Sequence, residues 1–240
     1  MTPQPPRLWL VRHAAPCIAA GTCYGALDVG ADAAATHEAA RRLAAALPAG
    51  RVLVRHSPLA RCAQLARALE ALRPDLAARP DARLAEMDFG TWEGRPWNAI
   101  GRAAVDAWTA DFAGHAPGGG ESLARMLARV ASALAEARAA CAAQTAGDVV
   151  WITHAGVARC VRWCMQAPGR MPRADEWPVA APAFGEWDCV ELPEPPGSER
   201  GWHPSGGGCV PAVVPVAQPP FSGTSSVTAP SVPSDGPRRT

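Results

Sequence analysis

Lysine is absent from this chain. All 23 basic residues are arginine, which excludes Schiff-base chemistry and the lysine of a P-loop, because both need a side-chain amine. Paired CxxC spacing is absent too. The eight cysteines, Cys17, Cys23, Cys62, Cys141, Cys160, Cys164, Cys189 and Cys209, form no zinc pattern with the six histidines. They read as reduced thiols, and the turn-spaced pair Cys160 and Cys164 as core filling. No apolar run is long enough to span a bilayer, and the opening Met-Thr-Pro-Gln-Pro-Pro-Arg lacks the apolar stretch of a signal peptide. A net charge of +1 supplies no global field for nucleic acid or a membrane surface. The expectation is a soluble, cytoplasmic protein without nucleic-acid or membrane partners, whose basic sites are local.

What is present is an alternation of strand and helix from residue 7 to about 166, which predicts a mostly parallel sheet with helices on both faces. Strands are expected at 7–12, 51–56, 83–87, 148–153 and 184–192. Helices are expected at 36–47, at 97–108, from Glu121-Ser122 to about Gln144, and at 156–165. A further helix, ending near Leu72, opens on Ser57 as N-cap and Pro58 as first helical residue. Residues 1–192 form one domain. Beyond Pro193 the composition turns to Pro, Gly, Ser and Val without periodicity, and 193–240 is expected to be a disordered tail.

Three apolar runs end in chemistry. Leu8-Trp9-Leu10-Val11 ends in Arg12-His13, Val52-Leu53-Val54 in Arg55-His56-Ser57-Pro58 with Arg61 beyond, and Val149-Val150-Trp151-Ile152 in Thr153-His154-Ala155-Gly156. If these strands are parallel neighbours, their ends gather His13, His154, Arg12 and Arg61 on one rim, where open α/β sheets hold their ligands. Two guanidinium groups match a phosphoryl group bidentately, and the start of a helix at Arg61 favours the same anion. A neutral imidazole there can attack phosphorus, while a second, protonated one steadies the transferring oxygens. The departing alkoxide then needs a proton from a carboxylic acid. Glu86 and Glu93 are both candidates, and Glu86 is preferred because it lies where a strand would be ending. His37 and His203 read as surface and tail, and His115 as a bland residue before the glycine run.

Leu10-Val11-Arg12-His13, Ser57-Pro58-Leu59-Ala60-Arg61-Cys62-Ala63-Gln64, the segment from Glu86 to Gly94, Gly119-Gly120-Glu121-Ser122 and Thr153-His154-Ala155-Gly156 together resemble the histidine phosphatase superfamily over residues 7–192. The resemblance implies a phosphoglycerate-mutase-like α/β/α sandwich and a phosphohistidine mechanism that uses no metal or other cofactor. It implies His13 as nucleophile, Arg12 and Arg61 as phosphate clamp, His154 as second histidine and Glu86 as proton donor. Cys23-Tyr24-Gly25-Ala26-Leu27-Asp28 is similar to the motif of the α-ribazole phosphatase branch, which acts late in cobalamin assembly, as is Trp177-Pro178-Val179. Tyr24, the only tyrosine, is a candidate substrate-binding residue that stacks on a base or supports its loop.

The chain departs from the family at Ala14, where glycine is usual, at His56, where serine is common, and at Val29-Gly30-Ala31-Asp32 after the loop motif. The partner expected is a small-molecule phosphomonoester. Alternatives are a mutase that returns the phosphoryl group to a sugar acid, a phosphoprotein phosphatase, and a catalytically silent binding module acting through its tail.

Overall fold

The computed structural model describes residues 5–192. The expected tail at 193–240, with His203, lies outside the described residues. Strands β1 (Arg7–Arg12), β2 (Val52–His56), β3 (Ala78–Pro80), β4 (Asp148–Thr153) and β5 (Trp187–Glu191) form one sheet in the order β3-β2-β4-β1-β5. The first four are mutually parallel, and β5 runs antiparallel along the β1 edge. Every residue of β4 is buried, as an apolar strand at the centre of a parallel sheet must be when both faces are covered.

Side chains alternate between two layers. Leu8, Leu10, Val149 and Trp151 pack with α4 (Leu123–Ala142) and α5 (Ala155–Gln166). Trp9, Val11, Val150 and Ile152 face the other way, onto α1 (Ala33–Ala46) and α2 (Ala60–Leu72). A satellite cluster of Cys23, Trp92 and Ile100 sits against α3 (Arg102–Ala110). The result is the three-layer α/β/α sandwich with a mostly parallel sheet that the alternation predicted. Cys160 is buried in the α4/α5 layer and Cys164 packs against it, which is core filling. Among the described residues there is no group of ligands suited to a metal ion, and no helix is long and apolar enough to cross a membrane.

Several element boundaries differ from the sequence expectation, each for a local reason. Helix α1 begins before Thr36 because Asp32 caps it, its carboxylate accepting the Ala35 N–H at 2.7 Å. Ser57 is not the cap of α2. The helix starts at Ala60, and the Ser57 hydroxyl instead accepts the Leu59 N–H at 3.3 Å and meets His154. Residues 83–87 are not a strand: a short 3-10 turn, Ala82–Leu84, leads into chain whose carbonyls are taken by side chains instead of a ladder. Strand pairing passes to β3, which lies earlier and joins β2. The expected helix at 97–108 is broken at Gly101, with a 3-10 turn at Trp97–Ala99 ahead of α3. Strand β5 starts after Phe184 because Gly185, at φ +73°, turns its N–H onto the Arg12 and His13 carbonyls.

Candidate active site

The register of β1 on β4 places Arg12 opposite Thr153, so His13 and His154 leave adjacent strands side by side. Their rings meet edge to face with centroids 5.2 Å apart, and both are buried. His154 also stands at the N-cap of α5, and Arg61 is the second residue of α2. Arg12 ends β1. The rim expected from three parallel neighbours is therefore present: β2, β4 and β1 are adjacent, and both arginines lie within electrostatic reach of both imidazoles.

The His13 tautomer follows from its partner. Nδ1 lies 2.7 Å from the Ala14 carbonyl oxygen, which can only accept, so Nδ1 carries the hydrogen and Nε2 keeps its lone pair. Burial, then the Arg61 and Arg12 charges, push the His13 pKa down from 6.5 to about 3. His154 is driven well below its ordinary range by the same burial and by Arg61 and His13. Both rings are neutral at neutral pH in the unliganded protein. Ala14 brings no strain, because Gln144 is the only non-glycine residue with positive φ among the described residues.

The arginines are held by backbone carbonyls. Arg61, with no exposed surface, gives Nη1 to the Leu27 carbonyl at 2.8 Å and Nη2 to that of Gly25 at 2.6 Å. Arg12 gives Nη1 to the Pro182 carbonyl at 3.1 Å and lies over the Phe184 ring at 3.8 Å. Nε of each is buried without a partner. A guanidinium is always charged and its fork matches phosphoryl oxygens, so two of them within electrostatic reach of a neutral imidazole suit an oxyanion. Tyr24 stands by both guanidinium groups, 5.4 Å from that of Arg61, and burial raises its phenol.

Glu86 and Glu93 separate by what their oxygens meet. Glu93 accepts the N–H groups of Gly25 at 2.8 Å, Ala26 at 2.9 Å, Leu27 at 3.2 Å and Phe89 at 2.9 Å, so it shapes the Tyr24 loop from below. Glu86 accepts only the N–H groups of Gly156, at 3.0 Å, and of Met87, at 3.1 Å. It lies against the first turn of α5 beside His154, close enough to Arg12 to stabilise its charge, and lines a cavity of about 270 Å³ with Ala26, Asp88 and Arg125. A Cβ at Gly156 would stand 2.1 Å from Glu86 Oε1, so a side chain there would push the carboxylate from this position.

The sequence did not point to Ser57, whose hydroxyl lies 2.8 Å from His154 Nε2, or to Phe184, whose ring centroid is 5.5 Å from that of His13. Ser57 is hidden by its plausibility as a cap, and Phe184 by its plausibility as a strand residue. His56 turns Nδ1 onto the Ser57 carbonyl at 2.8 Å, and His37 is exposed on α1. Trp177 packs between Phe112 and Trp163, partly buried against the α4/α5 layer.

The buried neutral histidines make the protein acid-sensitive. An unfolded chain takes protons on these rings near pH 6.5, whereas folded His13 resists until about pH 3, so acid favours unfolding through that window. Stability present above pH 6.5 is expected to fall progressively toward pH 3, with His13 alone accounting for about 2 kcal/mol at pH 5. Denaturant unfolding at pH 7 and pH 5 of the wild type and of His13→Gln checks this. The variant should show the shallower loss, and equal losses would contradict a buried neutral His13.

The family model described as histidine phosphatase superfamily (branch 1) matches residues 8–180 of the chain. No curated protein matches it by sequence. Among solved structures it is similar to a mycobacterial glucosyl-3-phosphoglycerate phosphatase, at 27% identity and a TM-score of 0.64 over 78% of this chain and 90% of that one. A Thermus thermophilus protein is similar at 28% identity and a TM-score of 0.57, over 78% of this chain and 95% of that one. A protein described as mycobacterial hydrolase 2 shares 27% identity at a TM-score of 0.65, over 81% of this chain and 85% of that one.

Proposed function

The chain belongs to the histidine phosphatase superfamily and is an enzyme with phosphatase activity, and from that premise we propose that residues 1–192 hydrolyse a small-molecule phosphomonoester through a phosphohistidine on His13. The observation that carries this reading is the gathering on one rim of a neutral His13, its Nε2 lone pair free, with His154 and the charges of Arg12 and Arg61. Nε2 attacks phosphorus and the bond to the ester oxygen breaks, Glu86 giving that oxygen its proton. A water then passes a proton to the Glu86 carboxylate and attacks phosphorus. The P–N bond breaks toward nitrogen, which restores neutral His13, protonated Glu86 and free phosphate. Arg12 and Arg61 hold the phosphoryl oxygens, and His154, which gains a proton beside the bound dianion, stabilises their charge. The reaction takes place in the cytoplasm, which suits the unpaired state of every cysteine among the described residues.

For the substrate we favour α-ribazole 5′-phosphate. Support comes from the Cys23-to-Asp28 motif and from the way Arg61 and Glu93 brace that loop, with Tyr24 beside both arginines as a ring for a nucleoside base. The similar mycobacterial enzyme is named for a glycosylated phosphoglycerate, which makes that ester the rival. Phosphate release from α-ribazole 5′-phosphate, glucosyl-3-phosphoglycerate, 3-phosphoglycerate and a phosphopeptide separates these readings. We expect the highest kcat/KM on the first. A higher value on the glycosylated ester moves the substrate to sugar acids, isomer formation without phosphate release points to a mutase, and no turnover of any phosphomonoester sinks the phosphatase reading.

A further inference from the structure

We propose that Arg129, braced by Glu121, is a positioning residue for the proton donor: it fixes the irregular segment that carries Glu86 and thereby sets where the acid meets the leaving group. The inference rests on the reading of Glu86 as that donor and adds a residue that lines the same cavity but whose N–H groups are all taken by Glu121 and by backbone carbonyls.

The geometry is specific. Arg129 projects from α4, and all five of its N–H donors have acceptors. Nε and Nη2 grip the two Glu121 carboxylate oxygens at 2.7 Å each. Nη1 bridges the carbonyls of Arg83 at 2.8 Å and Ala85 at 2.6 Å, and Nη2 also reaches that of Glu86 at 3.3 Å. Glu121 in turn gives its own N–H to the Asp88 carbonyl at 2.8 Å. The clamp therefore grips the chain on both sides of Glu86. That chain belongs to no strand, so side chains hold it where a ladder would otherwise do so. Thr153 supplies the other anchor, its hydroxyl donating to the Leu84 carbonyl at 2.8 Å.

Two features argue for precision over generic stability. The pair is largely shielded, at 19% and 15% exposure, so its charges are worth more than a surface ion pair. The Glu86 carboxylate is also held at both oxygens, by the Gly156 N–H at 3.0 Å and the Met87 N–H at 3.1 Å. A displacement near 1 Å of a catalytic group can cost about 10²-fold in rate. Lysine cannot replace this arginine, since an ammonium has three donors and no planar fork to span a carboxylate and three carbonyls.

Because the clamp acts through Glu86, its loss should fall on substrates that need a proton. Arg129→Lys is expected to lower the ratio of kcat/KM on an alkyl phosphate to that on 4-nitrophenyl phosphate by about tenfold or more. In a Glu86→Gln background the same substitution should lower that ratio no further, the non-additivity of two residues serving one function. A ratio unchanged by Arg129→Lys, equal losses on both substrates, or full additivity in the double variant overturns the positioning role. Should Glu86→Gln alone leave the ratio unchanged, the acid reading itself falls and the inference with it, which distinguishes the two failures. If Arg129→Lys does not fold, Glu121→Gln, which frees one side of the clamp, should shift the ratio in the same direction, and no shift there overturns the proposal equally.

Discussion

His13→Ala is expected to lower kcat/KM for every phosphomonoester by about 10³-fold or more, the scale seen when a covalent nucleophile is removed. The size of the loss follows from how completely the site is built around one nitrogen. Ala14 fixes the tautomer through Nδ1, burial and two arginines keep the ring unprotonated, and Nε2 is left to attack. No other group on the rim combines these features. His154 is equally buried, but its Nε2 faces the Ser57 hydroxyl at 2.8 Å and the Cys62 sulfur at 3.5 Å. Its removal should therefore weaken charge stabilisation without removing the bond-forming atom. The fold should survive His13→Ala, because the ring sits at the end of β1 and outside the apolar clusters of the two layers. Far-UV circular dichroism and a thermal scan check the fold. Alkaline quenching of enzyme mixed with ³²P-labelled substrate checks the chemistry: labelled protein should appear for the wild type and vanish for the variant. Turnover close to wild type, or label retained, would place the nucleophile elsewhere.

The parts of this arrangement legible in the sequence are those written in contiguous residues. β4 is legible because the middle of a central parallel strand, Val149 to Ile152, must be apolar, and the same logic places β1 and β2 and hence the two histidines. The irregular segment around Glu86 was not legible. Leu84, Ala85, Glu86 and Met87 look like a strand in isolation, yet their backbone partners are the guanidinium of Arg129 and the hydroxyl of Thr153, far along the chain. Nothing within the segment signals that. Glu86 and Glu93 lie in one turn-rich stretch, where residue type leaves both open and the resemblance favours Glu86; the physical difference is the set of N–H groups that converge on Glu93. Capping explains the rest: Asp32 and Ser57 are both competent N-caps by type, but only Asp32 is free to cap, because the Ser57 hydroxyl is engaged at the His154 ring.

Glu86→Gln should divide substrates by leaving group. General acid catalysis contributes about 10²–10⁴-fold where the leaving oxygen needs a proton, so kcat/KM on an alkyl phosphate should fall by that order. A nitrophenolate departs without help, so kcat/KM on 4-nitrophenyl phosphate should fall far less. The comparison belongs on kcat/KM because that parameter covers only the steps up to release of the alcohol or phenol. The second half of the reaction, attack of water on the phosphohistidine, is common to both substrates and also uses the Glu86 carboxylate. It should slow in the variant whatever the leaving group. With 4-nitrophenyl phosphate the phosphoenzyme should then accumulate, giving a burst of nitrophenol of about one equivalent per active site followed by a slow steady rate. Glutamine keeps the chain length and one oxygen for the Gly156 N–H, so the segment held by Arg129 should stay in place. Equal losses of kcat/KM on the two esters, with no burst, would remove Glu86 from both steps and leave the proton to another group.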